Sequence, residues 1–146
     1  MTSVCLLDVN VLIALMWPAH EHHPKVQRWF GQHARSGWAT CPITQAGFIR
    51  LITNPALTTD AIPPEQAIRV LETVTDHPAH RFWPDAITVP EALRPAGNRL
   101  TGHKQVMDAY LIGLARHHKG SVATLDRALP ALVSSDEQRT GRVTLI

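Results

Sequence analysis

Cysteine is scarce in this chain: two in 146 residues, Cys5 and Cys41. They form no C-x-x-C pair and each lies in a short apolar segment, so buried, reduced thiols in a cytoplasmic protein are the expectation. No apolar run approaches the roughly 18 residues that a membrane span needs. The N-terminus lacks a basic stretch followed by an apolar core and a small-residue cleavage site, so no export signal and no membrane partner are expected. Charge is also sparse, at 18% of residues, with a formal net charge of +2. That mild excess permits a nucleic-acid partner without demanding one. No internal repeat, low-complexity tract or linker interrupts the sequence, and its length suits one compact domain over residues 1–146.

What is present is organised around residues 4–15, V-C-L-L-D-V-N-V-L-I-A-L. Without Asp8 and Asn10 this is an unbroken apolar run. Residues 4–7 read as a strand covered on both faces, and residues 11–16 as the first turns of a buried helix. Asp8 stands at the seam between them. A lone carboxylate there is costly unless a cation or hydrogen bonds meet it.

The remainder alternates in the same way. Helical spacing predicts helices over residues 25–33, with Val26, Trp29 and Phe30 inward, and over 42–52, stopped by Asn54-Pro55. A third opens at Pro63-Pro64, with Ala67, Ile68, Leu71 and Val74 as its apolar stripe. The longest clean helix runs over 103–118, ended by Gly120. Short strands are expected at 38–41, 121–125 and 142–146, with extended pieces at 81–83 and 87–89. One helical turn is expected over 90–93, a basic loop over 94–100, an irregular stretch over 129–133 and a polar turn over 134–141. Strand–helix alternation from end to end implies an α/β fold with a mainly parallel central sheet between helical layers.

Two further carboxylates stand where charge is unexpected. Asp108 is the only charged side chain in V-M-D-A-Y-L-I-G-L-A, a helix otherwise apolar all round and therefore buried. Asp126 follows directly after the strand V-A-T-L, as Asp8 follows its own strand. Two strand-end aspartates in a parallel sheet lie on one edge, where α/β proteins bind ligands, and a helix packed over that edge adds Asp108. Taken singly, Asp8 is a helix cap, Asp126 a turn former and Asp108 the partner of an arginine. Taken together, clustered carboxylates repel unless a cation compensates, and oxygen-only ligands favour Mg²⁺ or Mn²⁺ over zinc. Such an ion suits activation of water against a phosphate.

Four segments in order, L-L-D-V-N-V-L-I-A-L, T-Q-A-G-F-I-R, Q-V-M-D-A-Y-L-I-G-L-A and A-T-L-D-R-A-L, resemble the PIN-domain ribonucleases, and within them the VapC toxins of toxin–antitoxin pairs. The resemblance spans nearly the whole chain. It implies a three-layer α/β/α sandwich, Mg²⁺-dependent endonucleolytic cleavage of RNA, inhibition by a VapB-type antitoxin, and homodimers that assemble further with that antitoxin. By the same resemblance Asp8, Asp108 and Asp126 match metal-binding acids, with Thr124 and Asn10 as supporting polar residues. One departure matters. Where most relatives carry a second acid, this chain has Gln45, which offers a carbonyl oxygen or a hydrogen bond but no charge. The alternative reading is therefore a catalytically weakened PIN-fold protein that mainly binds RNA or its antitoxin.

Other signals are weaker. H-E-H-H over residues 20–23 is not H-E-x-x-H, and adjacent side chains diverge on a helix or strand, so a solvated loop is expected there. Among arginines and lysines that could line an RNA path, including Arg50, Arg81, Lys104 and Arg116, the best placed are Arg94 and Arg99 in the basic loop. An aspartyl-phosphate phosphotransferase is disfavoured, because the first strand leads into D-V-N-V-L rather than D-x-D-x-T.

Overall fold

In the computed structural model, which describes residues 3–146, five strands form one sheet in the order β3-β2-β1-β4-β5. They are β1 (Cys5–Leu7), β2 (Trp38–Thr40), β3 (His80–Phe82), β4 (Ser121–Thr124) and β5 (Val143–Leu145). All four ladders are parallel, with Leu6 opposite Ala39 on one side and Val122 on the other.

The central strands β1, β2 and β4 are buried at every position because both faces are covered. Period-two alternation divides them between two cores. Leu6, Ala39 and Val122 pack with α6 (Val106–His117), α5 (Val89–Leu93) and the turn Leu129–Leu132. Cys5, Leu7, Trp38 and Ala123 face the opposite way, onto α1 (Val9–Met16), α2 (His23–His33), α3 (Pro42–Ile52) and α4 (Pro64–Thr75). These are the three layers expected from the sequence.

Several boundaries differ from expectation. The first helix starts at Val9, two residues early, because Asp8 itself caps it: the extended aspartate accepts a hydrogen bond from Val9 N. Residues 87–89 form no strand. Thr88 caps Glu91 N, and Val89 opens α5. The polar stretch over 134–141 contains a short helix, α7 (Ser135–Arg139), since Ser134 caps Glu137 N. The basic loop winds into 3₁₀ turns over Arg94–Arg99, broken by Gly97 at φ 57°. The helix expected from residue 103 begins with a 3₁₀ turn, His103–Gln105, before α6 proper. On α4, Ala67, Val70, Leu71 and Val74 face the core, whereas Ile68 is exposed: the helix is rotated so that Val70 takes the inward place.

Candidate metal-ion site at the sheet switch point

Strand order reverses at β1. The chain steps outward from β1 through β2 to β3, then returns to lay β4 on the other side of β1. In open α/β sheets this reversal opens a crevice beyond the carboxyl ends of the strands. Asp8 leaves β1 there, and Asp126 stands two residues past the end of β4.

A compact polar network fixes Asp8, which is 8% exposed. One carboxylate oxygen accepts from Val9 N at 2.8 Å, the other from the Thr124 hydroxyl at 2.8 Å. Thr124 Oγ1 in turn accepts from Asp126 N at 3.0 Å, so one hydroxyl links the side chain of Asp8 to the backbone of Asp126. Asn10 spans the same gap from α1: its Oδ1 accepts from Leu125 N at 3.1 Å, and its amide donates to Thr124 Oγ1 at 3.4 Å. Asp126 is exposed, and its Oδ1 accepts from Ala128 N at 2.9 Å. Asp8 is thus a helix cap and Asp126 a turn former, as each residue alone suggests, while Asp8 also faces the crevice and the charge of Asp126 acts on both Asp8 and Asp108.

Asp108 has no such support. It sits half-buried in the first turn of α6, where the helix dipole favours a negative charge. Burial, reinforced by the charges of Asp8 and then Asp126, nevertheless pushes its pKa up to about 6. Burial likewise raises Asp8, against the hydrogen bonds from Thr124 and Val9 that favour its charged form. Among the described residues neither lysine nor arginine forms an ion pair with any of the three acids. The arginine partner that would make Asp108 an ordinary buried ion is not there.

The donors therefore suit a hard cation, being carboxylate oxygens with uncompensated negative charge. Their arrangement is open: among the described residues no three carboxylate, imidazole or thiol groups converge closely enough to hold one ion. An ion that keeps several of its waters needs only one or two protein carboxylates, which is the habit of Mg²⁺ at phosphate-processing sites. The acids fit that kind of ion and not a closed cage.

Asp8 and Asp108 share a cleft of about 470 Å³ whose floor is apolar, with Pro42, Ile43 and Met107 exposed to it and Arg50 on its wall. Gly47 keeps α3 against the start of α1, because a Cβ there would stand 2.6 Å from a methyl of Val9. Gln45 turns elsewhere. Its amide donates to Thr40 Oγ1 at 3.0 Å, and Thr40 is 2.7 Å from His80 Nε2, so the side chain is engaged at the end of β2. Arg94 and Arg99 are exposed on the 3₁₀ segment and do not line the acid cleft. Arg116 pairs with Glu137 at 2.7 Å. The histidines of H-E-H-H are occupied locally, His20 accepting from His22 N and His23 meeting Ala14 O.

Sequence reasoning passed over two cations beside Asp126. Lys25 and Arg127, with His22, line a separate pocket of about 440 Å³ against Leu125 and the end of β5. The only signal for Arg127 was its place next to the acid, and nothing in the sequence marked Lys25. A larger cavity, about 640 Å³, lies between α1, α3 and α4; it is mainly apolar, and its one acid, Asp60, accepts a hydrogen bond from Trp17 Nε1.

A parallel α/β/α sandwich with unpaired acids at its switch point defines a class of α/β protein that takes its ligand at the carboxyl edge of the sheet. The family model for the PIN domain matches residues 5–133, and the chain belongs to that family. Among curated relatives, Ribonuclease VapC39 of Mycobacterium tuberculosis is 46% identical over 126 residues, covering 85% of this chain and 89% of that protein. Ribonuclease VapC38 of the same organism is 42% identical over 123 residues, 84% of this chain and 85% of its own length. Solved structures share the fold at lower identity. PAE2754 from Pyrobaculum aerophilum superposes with a TM-score of 0.62 at 20% identity, covering 98% of this chain and 84% of that one. VapBC2 from Rickettsia felis, bound to a DNA fragment from its promoter, gives 0.56 at 11% identity, with 98% and 97% covered.

Proposed function

We propose that the chain is a single PIN domain acting as a Mg²⁺- or Mn²⁺-dependent endoribonuclease, the toxin of a VapBC-type pair. The observation that carries this reading is the set of three carboxylates at the switch point with no basic partner. Its support from relatives is the name ribonuclease carried by the VapC proteins, which match most of the chain.

Asp8 and Asp108 would hold the ion. Bound there, it supplies concentrated positive charge that makes water more acidic and offsets charge building on a phosphate. The chain's own residues do the rest. Thr124 and Asn10 lock Asp8 in one rotamer, so its oxygens face the crevice before any ligand arrives. Asp126, exposed at the rim, accepts hydrogen bonds from a water approaching the phosphate. Arg50 places a guanidinium on the cleft wall for the RNA backbone, and the apolar floor beneath it accepts a base. Gln45, tied to Thr40, adds no charge, so the site works with three acids. A VapB-type antitoxin, a homodimer and a cytoplasmic setting complete the reading; likeness to VapBC2 supports the first.

Cleavage of total cellular RNA by purified protein, with and without Mg²⁺ or Mn²⁺, tests it. Discrete fragments should form only with metal and vanish in Asp8→Ala and Asp108→Ala. Gln45→Glu should cut faster if the missing charge tempers activity. RNA retention without cutting in every variant would favour the binding-only alternative, and equal cutting by Asp8→Ala would remove the site altogether.

A further inference from the structure

Endonucleolytic cleavage needs the strand held on both sides of the bond that breaks, yet the acid cleft offers a cation on one side only, Arg50. On the far side of Asp126 lies the pocket of about 440 Å³ lined by His22, Lys25, Leu125, Arg127, Leu145 and Ile146. Leu125 and Arg127 flank Asp126 in sequence, so this pocket opens on the same carboxyl edge of the sheet as the acids. Lys25 comes from the first turns of α2 and Arg127 from the turn after β4, so two elements converge two positive charges on one recess.

Neither cation has a structural duty. Among the described residues, Lys25 and Arg127 form no ion pair and both are exposed, unlike Arg116 and Arg142, which are consumed by Glu137. Two cations on one recess, neither taken up by an ion pair among the described residues, leave positive charge for an anion, which the neighbouring Asp126 carboxylate reduces but does not pair. The lining is not a base platform: the aromatic rings of α2, Trp29 and Phe30, do not reach it.

Resting on the ribonuclease reading, we propose that Lys25 and Arg127 form a phosphate subsite that seats the RNA backbone next to the scissile bond, on the opposite side from Arg50; His22, whose Nε2 is 3.5 Å from the Glu21 carboxylate, only lines the recess. The strand then crosses the carboxylates from an apolar cleft that takes a base to a cationic recess that takes a phosphate.

Binding of a short, fluorophore-labelled single-stranded RNA of mixed sequence is measured against salt, in an Asp108→Asn background that prevents cleavage. Each phosphate contact contributes about −0.7 to the slope of log affinity against log salt on a single strand. The Lys25→Gln/Arg127→Gln double variant, which loses one phosphate contact, should flatten that slope by about 0.7 and weaken binding about tenfold at physiological salt. Arg35→Gln, which removes a charge from the opposite edge of the sheet, should leave the slope unchanged. With Asp108 restored, the double variant should show a raised KM for RNA. An unchanged slope in the double variant overturns the proposal while wild-type cleavage leaves the ribonuclease reading intact, and so does an equal loss in Arg35→Gln. A wild type that neither binds nor cuts RNA contradicts the ribonuclease reading and the subsite with it.

Discussion

Asp108 carries the electrostatic signature of the site. Its carboxyl, ordinarily near 3.8, holds its proton up to about 6, because burial and two neighbouring acids disfavour the charge. The folded state therefore binds more protons than the unfolded chain between those values, and stability falls as pH rises through about 6. Below the ordinary carboxylate range both states are protonated and the difference disappears. In metal-free protein, Asp108→Asn should consequently melt higher than wild type at about pH 8, by roughly 2–4 °C once solvent screening of the half-exposed group is allowed for. The gap should close near pH 4, as differential scanning calorimetry would show. A variant that melts lower at every pH would mean that Asp108 makes a stabilising contact.

Thr124 tests the same scale differently. Its hydroxyl, itself fully buried, donates to Asp8 and accepts from Asp126 N. Thr124→Val keeps the shape and removes both bonds, so urea denaturation should show a loss of about 1–3 kcal/mol. Thr124→Ser should restore metal binding more fully than stability, because it returns the hydroxyl but not the methyl.

Among elements, α6 brings Asp108 to the crevice and is the most tightly held. Residues Ala109 to Ala115 are all buried. Its pivot is Gly113, where a Cβ would lie 2.5 Å from the carbonyl oxygen of Ala92 and 2.6 Å from its Cα. Alanine improves helix propensity by about 1 kcal/mol, but backbone cannot yield as a flexible side chain can, and overpacking costs about 1–3 kcal/mol or more. Gly113→Ala should therefore destabilise the fold and, by pushing α6 off α5, displace Asp108 and slow cleavage beyond what the stability loss explains. A variant as stable and active as wild type would show that α5 moves aside freely. At its other end α6 is tied by Arg116, whose two bonds to Glu137 at 2.7 and 2.9 Å bring α7 and, through Arg142, the approach to β5 onto it. None of this was visible as an element in the sequence: the 134–141 stretch reads as polar turn because a helix of five residues leaves no periodicity to detect, and only its Ser134 cap announces it.

For the whole molecule, legibility followed burial. Residues 4–7 are apolar at every position and 121–124 carry no charge, and strands hidden on both faces read that way, so the layered parallel sheet could be inferred from the sequence. The three acids were legible for the same reason: charge inside an apolar segment stands out. Convergence at one switch point rested on β4 lying beside β1, and strand order leaves no mark on local sequence. Surface cations were poorly legible. Arg94 and Arg99 drew most attention because they cluster in the chain, Arg50 stood only as one of several cations that could line an RNA path, and Lys25 and Arg127 went unmarked, yet it is Arg50, Lys25 and Arg127 that line the two recesses. The rotation of Gln45 toward Thr40 was equally hidden, since its partner comes from the strand before it and depends on how α3 sits.

The central claim is that Asp8 and Asp108 hold a hard divalent ion. Isothermal titration of Mn²⁺ into purified protein near pH 8 tests it without reference to any RNA. Wild type should bind Mn²⁺, more weakly as pH falls through about 6 and Asp108 takes up its proton. Asp8→Asn and Asp108→Asn should each lose most of that affinity, by roughly 10-fold or more. Binding equal to wild type in both variants would contradict the account.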